Sequence, residues 1–159
     1  MGIIFQNQCM IMRSRLIIGW RELISLPDLG VRRLHAKIDT GARSSAIHAE
    51  SVLEVFQRGQ MCVRFEVITD DDLGTRSVCT LPVLDRRHVM NSGGKRELRY
   101  FVHTTLCMGG RCWPIQLSLT TRHQLRYSML IGRQALGGRV VIYPGRRYLA
   151  GEPTADLSE

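Results

Sequence analysis

Apolar and polar residues alternate along much of this chain with a period of two. Val63, Phe65 and Val67 are interleaved with Arg64 and Glu66, so one face of that run should be buried and the other wet. A looser alternation runs through residues 31–38. Further strand-like runs fall at 16–26, 54–56, 61–69, 76–83, 97–106, 111–120, 127–131, 139–143 and 147–149. Turn residues punctuate them: Pro27 with Asp28, Leu29 and Gly30, the acidic turn at 70–74, Gly109 with Gly110, and Pro144 with Gly145. Helix is confined to a short turn within 44–50 and to 133–136, where Gly137 and Gly138 supply a stop. Many short strands, glycine turns and hardly any helix predict an all-β barrel or sandwich. No internal repeat is visible.

The run at 31–38 delivers Asp39, Thr40 and Gly41. An aspartate leaving an apolar strand, then a hydroxyl residue, then glycine, has the layout of an aspartic-protease half-site. The carboxylate must sit on a tight loop opposite a second carboxylate. Thr40 can lock that loop by hydrogen bonding, and Gly41 lets backbone and substrate come close. Two carboxylates at that range cannot both ionise, so they share a proton and activate a water between them. By itself such a tripeptide is equally an Asx-turn after a strand.

A second signal lies near the other end of the chain: an apolar strand, Met129 to Ile131, enters Gly132 and Arg133 and then a short helical turn. With both signals in this order, the chain resembles the retropepsin-like aspartic endopeptidases. It is most similar to a bacterial family whose usual label speaks of an ATP-dependent zinc protease. The matching words are Ile18 to Glu22, Leu26 to Gly30, Lys37 to Ala49, Gly109 to Ile115 and Leu130 to Leu136. The resemblance implies a small closed β-barrel of the retropepsin type with one short helix. It implies Asp39 as catalytic residue, with Thr40 and Gly41 shaping its loop. Gly132 and Arg133 would brace that loop from below, and Ala42 and Arg43 would line the substrate side. A glycine-tipped flap would close over the substrate, and residues 91–95, with Asn91, Ser92, Gly93 and Gly94 as substrate contacts, are the candidate. One feature departs from the viral pattern: two residues after the catalytic glycine, where an acid is expected as a partner for the bracing arginine, stands Arg43. Either Arg133 has another partner or Arg43 is a cation facing the substrate.

The 159 residues suit one domain. Residues 1–15 read as an irregular arm, 16–150 as the barrel and the polar stretch 151–159 as a disordered tail. Only one Asp-Thr-Gly occurs, and a two-lobed enzyme needs about twice this length. The expected active form is therefore a homodimer with the site on its two-fold axis. The net charge is +8, with arginine pairs at 32–33, 86–87 and 146–147. Such a surface steers anionic partners. No nucleic-acid module or basic run with interleaved aromatics is present, so an acidic peptide or protein is the expected partner rather than nucleic acid. The five cysteines form no secreted disulfide framework and read as reduced thiols. Cys107 and Cys112 bracket a glycine turn, but no second pair has metal-ligand spacing. There is no His-Glu-x-x-His and no phosphate-binding glycine loop, so neither a metal nor any other cofactor is expected. With no secretory signal, no myristoylation pattern and no membrane-length apolar run, the expected location is the cytoplasm.

Two other readings remain at this level. One is a catalytically silent barrel that binds peptide or protein beside a glutamate-ligating enzyme, a setting in which the family is commonly found. The other is the zinc metallopeptidase of the label.

Overall fold

A computed structural model describes residues 14–91, 93–121 and 126–153. The N-terminal arm beyond 14–15, the flap residue Ser92 and the tail beyond 153 lie outside them. The strands are β1 (Leu16–Ile18), β2 (Arg21–Leu26), β3 (Val31–Asp39), β4 (Ser45–His48), β5 (Glu50–Gln57) and β6 (Gln60–Asp70). They continue as β7 (Thr75–Pro82), β8 (Asp85–Met90), β9 (Arg96–Met108), β10 (Arg111–Thr120), β11 (Met129–Gly132) and β12 (Val140–Ile142). One short helix, α1 (Arg133–Leu136), follows β11. The all-β expectation holds.

Strand pairing closes a ring. β3 pairs with β2, β2 with β9, β9 with β10, β10 with β4, β4 with β11, and β11 returns to β3. The meander of β5, β6 and β7 is appended through β3, and β8 through β9. Alternation explains why the ring encloses a core. On β3, Leu34 and Ala36 are fully buried and Ile38 nearly so. Trp113, Ile115, Leu117 and Leu119 do the same on β10, and Val63, Phe65 and Val67 on β6. Each such large side chain contributes roughly 1.5–3 kcal/mol by leaving water. Trp113 also donates from Nε1 to the Ala135 carbonyl at 2.9 Å, tying α1 to the barrel wall.

Several local expectations need correction. Residues 45–48 are a strand, not a helical turn. They pair in parallel with β10 and antiparallel with β11, and two flanking ladders outweigh weak helical propensity. The run at 16–26 breaks at Gly19 and Trp20 into two strands, and β1 turns away to pair with β12. Residues 147–149 form no strand. Tyr148 N–H donates to Arg21 O, and the Leu149 N–H donates to the buried Glu22 carboxylate at 2.8 Å. Cys107 and Cys112 are not free thiols. They face each other across the β9–β10 hairpin as a disulfide, with Cα atoms 4.1 Å apart, because Gly109 and Gly110 form the tight turn that brings the strands together. Cys62 and Cys79 are free and buried.

Candidate active site

Asp39 is the last residue of β3, and its register partner on the parallel strand β11 is Gly132. The chain after Asp39 folds back on itself. Gly41 N–H donates to Asp39 Oδ1 at 3.1 Å and Ala42 N–H to Asp39 O at 3.2 Å. This is the Asx-turn geometry that Asp-Thr-Gly allows, and it coexists with an open carboxylate. The loop is then held from beneath. Arg133 N–H donates to Ala42 O at 2.9 Å, and Gln134 N–H to Arg43 O at 3.1 Å. Gly132 N–H donates to Ser45 Oγ at 3.1 Å, and Ser118 Oγ donates to Ser45 O at 3.0 Å.

Glycine is required at 132. A Cβ there would lie 2.6 Å from both the carbonyl carbon and oxygen of Ser44, well inside contact distance, and backbone cannot swing aside as a side chain could. Arg133 answers the question raised by Arg43. Its Nη1 donates to Gly41 O at 3.2 Å and to Thr40 O at 3.4 Å. The guanidinium thus braces the Asp39 loop through main-chain carbonyls and needs no acid at position 43.

Above the loop lies a cleft of about 640 Å³, a size suited to a peptide segment. Asp39, Ala42 and Arg43 line its floor, and Val89, Met90 and Asn91 of the β8–β9 hairpin overhang it. Among the described residues, the hydrogen bonds of the hairpin tip are local. Asn91 Oδ1 accepts from Gly93 N–H at 2.9 Å and Lys95 N–H at 3.0 Å, and Asn91 O accepts from Gly94 N–H at 3.0 Å. Gly94 has φ +78°, a conformation that favours glycine. Of the flap candidates Asn91 lines the cleft, whereas Gly93 and Gly94 form the tip and do not touch it.

Sequence reasoning missed the remaining walls. Lys37, Arg99 and Arg126 add cations, and Trp20, Tyr127 and Leu130 add apolar surface. Trp20, Lys37 and Leu130 stood within matched words, but Arg99 and Arg126 carry no local signal. Among the described lining residues Asp39 is the only acid. No three His, Cys, Asp or Glu side chains among the described residues group as a metal would require. No helix among them is long and apolar enough to cross a membrane.

Comparison with known proteins fits this geometry. The family model described as "RimB-like: Retropepsin-like aspartic endopeptidase RimB" matches residues 17–153. A protein of Shewanella pealeana named "Probable alpha-L-glutamate ligase" is 34% identical over 142 residues, covering 87% of this chain and 31% of that protein. One of the same name from Desulfotalea psychrophila is 38% identical over 141 residues, 87% of this chain and 30% of that protein. The chain thus spans about a third of the length of these curated relatives. Among solved structures, protein Lpg0085 (DUF785) of unknown function from Legionella pneumophila superposes with a TM-score of 0.72 at 26% identity. That match covers 86% of this chain and 99% of the other.

Proposed function

This chain belongs to the RimB-like family of retropepsin-like aspartic endopeptidases, and on that premise we propose that it hydrolyses peptide bonds with Asp39. The observation that carries the reading is the Asp39 loop itself: a carboxylate at a cleft floor, braced from below by Gly132, Arg133 and α1, with a hairpin overhead. One chain supplies one carboxylate. The active species is a homodimer in which two Asp39 carboxylates face each other across the two-fold axis. They share one proton and polarise a water. That water attacks the scissile carbonyl, and the proton passes to the leaving nitrogen. The substrate is an acidic peptide or protein segment, because Lys37, Arg43, Arg99 and Arg126 surround the cleft.

The names of the curated relatives favour a second reading. Those proteins are called glutamate ligases and are about three times as long. A silent barrel that presents or binds the product of a ligase would also need a cationic cleft.

One experiment separates the two. Cleavage of a Glu-rich peptide is followed by mass spectrometry with the natural protein and with Asp39→Asn, which is near-isosteric. The peptidase reading expects a rate loss of ~10²–10⁴-fold, the span of acid–base catalysis, with folding and peptide binding retained. Binding without hydrolysis by the natural protein, measured where sedimentation shows a dimer, would establish the silent barrel instead.

A further inference from the structure

The cleft cations are not equivalent. Lys37, Arg43 and Arg126 are exposed, so their long side chains keep their rotamer freedom until something binds. Arg99 is different: its side chain is only 12% exposed. Its Nε and Nη2 both donate to Glu97 Oε2, at 3.3 and 3.1 Å. Glu97, 19% exposed, is held in turn by Thr120, whose Oγ1 donates to Oε1 at 3.2 Å. Thr120 is itself buried in β10. A relay of two hydrogen-bonded partners therefore fixes one guanidinium, and its remaining nitrogen, Nη1, has no partner among the described residues. Arg99 lines the same cleft as Asp39. Two residues along β9, Glu97 pairs with Val89 of the overhanging hairpin, so the guanidinium stands at the root of the flap.

We propose that Arg99 is a specificity-determining residue that binds a side-chain carboxylate of the substrate, with Glu97 as its positioning residue. The inference rests on the peptide-binding cleft proposed above. A guanidinium already ordered in the free protein loses little further freedom on binding, and its planar fork matches a carboxylate. An amide in the same place is rejected in one of its two orientations, because its NH₂ would meet N–H donors that need an acceptor. Glu97 neutralises much of the long-range field of Arg99. What Arg99 reads is thus hydrogen-bond chemistry at short range, whereas Arg43 and Lys37 supply steering. Burial separates the two effects experimentally, since exposed charges are screened by salt and buried pairs much less.

The probes are labelled hexaglutamate and hexaglutamine. Binding is read by fluorescence anisotropy in the Asp39→Asn background, and cleavage by kcat/KM in the natural background. The starting protein should favour hexaglutamate by about tenfold, equivalent to about 1.4 kcal/mol, with a substantial part surviving ~1 M salt. Arg99→Met strands the Glu97 carboxylate and can cost folding, so the deciding variant is the double change Arg99→Met with Glu97→Gln. At ~1 M salt, where steering by the exposed cations is screened, it should bring the two probes near parity. Arg99→Lys should be intermediate. Glu97→Gln alone should raise KM for hexaglutamate with little change in kcat or melting temperature, which a merely structural role would not produce. A double variant that keeps the starting preference at ~1 M salt overturns the assignment, as does a starting protein that prefers neither probe. If the natural protein binds hexaglutamate without cleaving any peptide, the peptidase reading fails alone and the binding ratio still decides Arg99.

Discussion

The Asp39 loop and the hairpin proposed as its flap are both short glycine-bearing turns at one cleft, yet they are built in opposite ways. The loop at 39–44 receives hydrogen bonds from residues about ninety positions away: Arg133 and Gln134 main chain to Ala42 and Arg43, and the Arg133 guanidinium to Thr40 and Gly41. Gly132 is packed so tightly beneath it that no side chain fits. The flap tip is closed by hydrogen bonds within residues 91–95, and an added Cβ at Gly94 would meet nothing within 4 Å. In the proposed peptidase, the loop that would hold the reacting carboxylate is over-determined by distant contacts, whereas the hairpin that would open is left to its own turn. The same sequence feature, a glycine, serves close approach in one place and backbone freedom in the other.

That contrast can be broken or sharpened by substitution. Gly132→Ala should be the most damaging. Overpacking against backbone costs about 3 kcal/mol or more, so the melting temperature should fall by roughly 6–12 °C and the residual folded protein should be inactive. An unchanged melting curve would mean that the loop is not held from below. Arg133→Met should leave melting within a few degrees but lower kcat by about tenfold or more, because a displaced carboxylate loses its attack geometry. If its effect fell on stability alone, the guanidinium would be a structural strap and nothing more.

Gly94→Ala should do less. The left-handed backbone costs about 1–2 kcal/mol with a Cβ, confined to an exposed tip, so kcat should drop several-fold while melting shifts by only a few degrees. A loss of stability as large as that from Gly132→Ala would erase the distinction between the two turns.

The smallest effect concerns the foot of the flap. Tyr100 Oη and Arg86 Nη1 both donate to Glu54 Oε1 at 2.7 Å, linking β5 to β8 and β9. These contacts, Tyr100 first and then Arg86, hold the Glu54 pKa below its ordinary 4.5. A carboxylate depressed on folding contributes stability that is present above its unfolded pKa and lost as pH falls through the folded one. Acidification from neutrality to below about pH 4 should therefore lower the melting temperature of the natural protein slightly more than that of Glu54→Gln. Equal slopes would show that this exposed cluster does not couple the flap to the sheet.

Much of this was legible before any coordinates. Period-two alternation at 63–67 and 31–38 placed the core faces correctly, since a strand with one buried side must alternate. Asp39 with Thr40 and Gly41, and Gly132 with Arg133, announced the loop and its brace, because close backbone approach leaves a glycine as its trace. The hairpin around Asn91 was legible from its paired glycines. The helical turn expected at 44–50 was not a strand by its own composition. It became one because β10 and β11 lie on either side of it, and a ladder on both edges is a property of the fold. The partner of Arg133 was hidden because main-chain carbonyls are the same at every residue. The Cys107–Cys112 bond waited on the turn that brings their Cα atoms together. Arg99 was invisible for the most general reason. What sets it apart from the other arginines is burial and a relay through Glu97 to Thr120, and a sequence does not state which of its charges will lose water. The local sequence determined the strands, the turns and the aspartate at the end of β3. Only the tertiary structure decided which cation of its cleft is held by neighbouring side chains, because that depends on contacts between residues remote along the chain.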